Sequence, residues 1–92
     1  MYEVFSLHNG RLVDEEAHFK RLFRSLKELS LKVPWNQAVL QVIIGEVLRR
    51  NRIEYGNVYL QISRGNARRS HQFPLILPKP SLVVVANRIS YE

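Results

Sequence analysis

The sequence predicts an α+β domain: a two-layer sandwich in which an antiparallel or mixed sheet carries two helices on one face. Three observations predict it. The apolar pattern runs in the order strand, strand, helix, helix, strand, strand, changing from period two to helical spacing and back. The chain has 92 residues, 46% hydrophobic and 24% charged, which suits one compact domain. No internal repeat, low-complexity segment or interdomain linker divides it, so residues 1–92 read as a single unit.

Tyr2 to Leu7 alternates, with Tyr2, Val4 and Ser6 on one side and Glu3, Phe5 and Leu7 on the other. Asn9-Gly10 supplies the two positive-φ residues of a type I′ hairpin turn, and a short strand at Arg11 to Val13 follows. Asp14 is placed to cap a helix over about 15–29. Glu15 and Glu16 lie in its first turn, and Phe19, Leu22, Phe23, Leu26 and Leu29 form its inner stripe. Pro34 opens a second helical unit. Its expected stripe is Val39, Val42, Ile43 and Val47 with Trp35 or Ala38, ending near Arg49-Arg50-Asn51-Arg52, where cations suit the negative end of the helix dipole.

Tyr55-Gly56 reads as a turn, and Asn57 to Ser63 alternates again, with Val58, Leu60 and Ile62 on one face and Tyr59, Gln61 and Ser63 on the other. Residues 66–80 hold Pro74, Pro78 and Pro80 and little periodicity, so they read as a long irregular connection of the kind that is functional or disordered. A last strand is expected at Ser81 to Asn87. The helices require Phe5, Leu7, Val58, Leu60 and Ile62 beneath them. The opposite face then presents Tyr2, Val4, Ser6, Tyr59 and Gln61, a half-polar surface suited to flooring a cleft.

Cysteine is absent, which excludes disulfides and thiolate metal sites and makes a reducing cytoplasm the expected location. The N-terminus lacks the basic start and apolar centre of a signal peptide, and no apolar run approaches the roughly 18 residues of a membrane span. The formal charge of +6 would suit an anionic partner. However, Lys20, Arg21, Arg24 and Lys27 fall on the outer side of the first helix as a solvated face would. No basic and aromatic residues interleave as single-strand nucleic-acid binders require, so neither nucleic acid nor a membrane is the expected partner.

Of the histidines, His8 lies beside the hairpin turn and is expected to be exposed. His18 reads as a solvated or capping residue, with no second ligand at a convincing metal spacing. The stretch RGNARRSHQFP, residues 64–74, gathers cations where no regular element is expected. Arg69 and His71 lie two apart, so in an extended segment they point the same way and could hold one carboxylate, the arginine as a planar fork and the histidine as a further donor. An ordinary polar loop accounts for the same residues equally well. No Gly-rich phosphate loop, nucleophile elbow or catalytic carboxylate pair can be assembled.

In order and spacing, Tyr2-Glu3-Val4, Asn9-Gly10, His18-x-x-Arg21-Leu22 with Ser25, Tyr59-Leu60-Gln61, Arg64-Gly65 and Arg69-x-His71-x-Phe73-Pro74 resemble the small N-terminal domain of fold-type IV pyridoxal-phosphate aminotransferases, nearest to the D-amino acid aminotransferase branch. The match spans nearly the whole chain. It implies that Arg21 binds the cofactor phosphate, that Tyr2, Arg69 and His71 bind the substrate α-carboxylate, and that Val4 forms an active-site wall. The Arg-x-His pair distinguishes this branch from branched-chain aminotransferases and aminodeoxychorismate lyases of the same fold. Arg68 stands where the D-amino acid enzymes often have proline. The resemblance further implies pyridoxal phosphate as cofactor, amino acid and 2-oxo acid substrates, and a homodimer. It places the lysine that carries the cofactor in a large C-terminal domain, so this chain is expected to be one domain of a larger enzyme, inactive alone.

Overall fold

The computed structural model describes residues 1–64 and 80–89. The chain order is β1 (Tyr2–His8), β2 (Arg11–Leu12), α1 (Glu15–Glu28), α2 (Gln37–Asn51), β3 (Gly56–Arg64) and β4 (Pro80–Arg88). The strands form one antiparallel sheet in the order β2-β1-β3-β4. With two helices over it, this is the α+β architecture that the alternating and helical patterns predict.

Register explains which residues face the helices. Phe5 pairs with Val58 and Val58 with Ala86, while Glu3 pairs with Leu60 and Leu60 with Val84, so these rows lie on the inner face. Phe5, Val58, Leu60 and Ile62 pack against Phe19, Leu22 and Leu26 of α1 and Leu40 and Ile44 of α2 to form the core. The Phe5 and Phe19 rings meet with centroids 5.1 Å apart and tilted, a favourable aromatic geometry. The outer rows are Tyr2–Gln61–Val83 and Val4–Tyr59–Val85, and no described element covers them.

The β1–β2 turn has Asn9 at φ 51 and Gly10 at φ 76, both in the left-handed region that a type I′ turn requires. Two expectations are corrected. Asp14 does occupy the N-cap of α1, but at φ 52 it is left-handed and its side chain makes no capping hydrogen bond. The side-chain cap belongs to α2, where Asn36 is extended and its Oδ1 accepts from the Val39 amide at 2.9 Å. The α2 stripe is also rotated by about one residue from its expected phase. Leu40 and Ile44 are buried, while Val39 is 42% and Val42 66% exposed. This helix carries aliphatic residues around most of its circumference, so spacing alone does not fix which side faces the sheet.

The basic surplus is partly structural. Arg49 and Arg50 both reach Glu46 on the same helix, an exposed pairing that contributes little to stability. Arg64 of β3 donates to the Leu29 carbonyl at the end of α1, and Arg88 of β4 donates to the Asn51 and Arg52 carbonyls at the end of α2. Each strand arginine thus satisfies helix-terminal acceptors and opposes the negative end of a dipole.

Candidate active site

An open cleft of about 320 Å³ lies at the start of β1, lined by Met1, Tyr2, Glu3, Val4, Arg21 and Ser25. Strand alternation sends Tyr2 and Val4 to the outer face and Glu3 inward. The helical rise of α1 brings His18, Arg21 and Ser25 past the same strand end. Three of the five site residues expected from the sequence, Tyr2, Val4 and Arg21, therefore meet at one place. Arg69 and His71 lie outside the described residues.

Glu3 organises the inner wall. It is 3% exposed on a face otherwise made of Phe5, Leu7, Leu60 and Ile62. Its Oε2 accepts from Arg21 Nε at 3.3 Å, and its Oε1 accepts from Arg21 Nη2. His18 Nδ1 lies 2.6 Å from Oε1. An ionised carboxylate only accepts, so Nδ1 carries the proton of this bond, and the 3.3 Å approach of Arg21 Nη2 to Nδ1 is a close contact between donors. His18 is thus neither solvated nor capping; its ring packs on Phe5 at 4.9 Å and ties Glu3 to the core. Burial pushes the Glu3 carboxyl up, but hydrogen bonds from Arg21 and His18, with the charge of Arg21, outweigh that and hold it below its ordinary 4.5. The bond to Glu3 in turn raises Arg21 further above the usual arginine range.

A group whose pKa is depressed by folding stabilises the fold above its unfolded value and loses that contribution as pH falls through the folded value. Stability is expected to drop below about pH 4.5 with a Glu3-dependent slope. Urea unfolding should show Glu3→Gln to be less stable than wild type near neutrality, with a shallower decline as pH falls below about 4.5, whereas Glu46→Gln, at an exposed pair, should follow the wild-type profile. An unchanged slope in Glu3→Gln would contradict the assigned ion pair.

Arg21 is held by one edge. Its side chain is 57% exposed, and among the described residues Nη1 makes no hydrogen bond, so the distal edge is open to an anion. Ser25, one turn further along α1, brings a hydroxyl-bearing residue to the same wall. On the outer face Tyr2 stacks on Tyr59, centroids 5.6 Å apart and 25° from parallel, and the Tyr59 hydroxyl donates to Gln61 Oε1 at 2.8 Å. A guanidinium edge, a hydroxyl and a phenol around an apolar wall can receive a phosphate on one side and a carboxylate on the other. Residue typing missed Glu3 and the real partner of His18. The available signal was a carboxylate at the inward phase of an otherwise apolar strand. His8, by contrast, is exposed as expected, with its ring edge-on to Tyr55.

No helix of the described residues is long and apolar enough to cross a membrane, and none of them form a metal-binding cluster. Residues 1–92 match the family described as amino-transferase class IV. The chain is 35% identical over its whole length to a D-alanine aminotransferase of Staphylococcus haemolyticus, covering 32% of that protein. It is 33% identical over 89 residues to one of Listeria innocua, covering 31%. A solved structure from Legionella pneumophila, named for a 4-amino-4-deoxychorismate lyase, superposes on all of the chain with a TM-score of 0.81 at 15% identity, over 34% of its own length. That likeness concerns the fold. The chain spans about a third of the length of these relatives.

Proposed function

The chain belongs to the class IV aminotransferases, and from that premise we propose that it supplies the substrate-carboxylate and cofactor-phosphate contacts of a D-amino acid aminotransferase. The observation that carries this reading is the meeting of Tyr2, Val4 and Arg21 at one cleft, where the Arg21 side chain is 57% exposed and, among the described residues, Nη1 makes no hydrogen bond. The relatives named D-alanine aminotransferase support the branch. So does the Arg69-x-His71 spacing.

Pyridoxal phosphate, the cofactor of the family, supplies the electron sink that makes a substrate α-hydrogen acidic. The donor set fits its phosphate: Arg21 offers a two-point fork, and Ser25 a hydroxyl beside it. Tyr2 donates its phenolic proton to one oxygen of the substrate carboxylate, and its ring orientation is set by Tyr59. Arg69 and His71 complete the carboxylate site, and Val4 presents an apolar wall that keeps water from the substrate. The uncovered outer face suits burial against the rest of a homodimeric enzyme.

The complete enzyme carrying this segment is expected to transaminate D-alanine with a 2-oxo acid at least about a hundredfold faster, in kcat/KM, than L-alanine. The 92-residue chain alone is expected to give no turnover and no absorbance of lysine-bound cofactor, since the family pattern matches none of Lys20, Lys27, Lys32 and Lys79 to the cofactor-bearing lysine, and no lysine among the described residues lines the cleft. Preference for L-alanine, elimination without transamination, or turnover by the isolated chain would each overturn the assignment.

A further inference from the structure

Resting on that reading of Arg21, we propose that Glu3 is the positioning residue of the phosphate site, gripping the guanidinium by its inner edge so that the outer edge is presented ready-made to the anion. Glu3 is the one charged residue buried in the core face among the described residues. Strand alternation asks for an aliphatic side chain there, opposite Leu60, and a buried carboxylate is costly unless fully compensated. Both of its oxygens are committed, Oε2 to Nε and Oε1 to Nη2 and His18 Nδ1. This pairing occupies the Nε–Nη2 edge and leaves Nη1 with the outward N–H of Nη2. His18 anchors the carboxylate to Phe5, so the chain Phe5–His18–Glu3–Arg21 transmits the rigidity of the core to an otherwise exposed arginine.

Two effects of Glu3 oppose each other. Its negative charge repels an anion held by Arg21, by roughly threefold per unit charge at about 7 Å in water and less in salt. Against this, immobilising a free arginine at the moment of binding costs on the order of ten- to thirtyfold in affinity. Positioning therefore wins, and loss of the grip is expected to weaken phosphate binding about fivefold or more despite the removed repulsion.

The test uses the complete enzyme carrying this segment, ¹⁵N-labelled and freed of cofactor, titrated with inorganic phosphate and with pyridoxamine 5′-phosphate, with pyridoxamine as the control lacking phosphate, and followed at the Arg21 Nε–Hε resonance. In the wild type this proton should be protected from exchange, and the resonance should shift with both phosphates but not with pyridoxamine. Glu3→Asp keeps the charge but falls one methylene short; it should lose the protection and bind both phosphates at least fivefold more weakly, while its backbone spectrum stays native. His18→Gln, which loosens only the anchor of Oε1, should fall between the two and serves should Glu3→Asp fail to fold. Wild-type affinity in a folded Glu3→Asp, or in His18→Gln if the former is unfolded, would overturn the positioning role while leaving Arg21 as the phosphate ligand. A wild type that does not respond to either phosphate would overturn both.

Discussion

Arg69→Ala in the complete enzyme should lose on the order of ten- to a hundredfold in kcat/KM for D-alanine, with the cofactor spectrum nearly unchanged. The arginine is proposed to grip the substrate α-carboxylate through a charge-assisted two-point bond, whose removal costs about 1.5–3 kcal/mol. The cofactor is held elsewhere, so its retention is not at stake. His71→Ala should be milder, because a neutral imidazole contributes one donor and Tyr2 still supplies another. Steady-state kinetics with D-alanine and absorbance spectra of both variants check this. Wild-type kcat/KM in Arg69→Ala would return RGNARRSHQFP to an ordinary solvated loop.

Gly56→Ala should be the most damaging of the glycine-to-alanine changes among the described residues. Gly56 begins β3 at φ 152, and a β-carbon built there falls 1.8 Å from the Asn87 carbonyl oxygen and 2.9 Å from its carbon. Those atoms are backbone of β4, paired with β3 through Gly56–Arg88 and Asn57–Asn87, and cannot step aside without parting the ladder. Arg88, whose guanidinium holds the end of α2, would be displaced as well. A loss of about 3–5 kcal/mol is expected, a large fraction of the stability of a domain this size. Gly10→Ala is the control. Its φ of 76 is near the left-handed region that non-glycine residues enter at modest cost, and nothing lies within 4 Å, so only backbone strain of about 1 kcal/mol should appear. Urea unfolding of the two variants measures the difference, and equal losses would contradict the steric account.

The strands and their faces were legible because period-two alternation leaves no ambiguity once one residue is placed inside. Phe5, Val58, Leu60 and Ile62 are buried as that pattern requires. The Asn9-Gly10 turn was legible because few residue pairs accept two positive φ values in succession. The phase of α2 was not, because valines and isoleucines occur on both its faces and only packing against β4 and α1 selects Leu40 and Ile44. Asp14 misled for a related reason: residue type marks where a helix begins, but the cap bond depends on a backbone dihedral that residue type does not set.

Of the proposed site, the strand alternation and helical spacing account for the three residues Tyr2, Val4 and Arg21 sharing one cleft. The supporting residues were hidden because their meaning is three-dimensional. Glu3 and His18 are fifteen positions apart and become partners only when α1 folds back across β1. An inward-phase carboxylate on an apolar strand was the visible anomaly, and its explanation needed the helix above it.

In the proposed function this segment holds the cofactor phosphate through Arg21, apart from the carboxylate site. The decisive quantity is the pyridoxal phosphate dissociation constant of Arg21→Ala, measured beside Arg69→Ala in the complete enzyme. Cofactor affinity should be at least about tenfold weaker in Arg21→Ala and near wild type in Arg69→Ala. Unchanged cofactor affinity in Arg21→Ala, or equal loss in both variants, would contradict this role of Arg21.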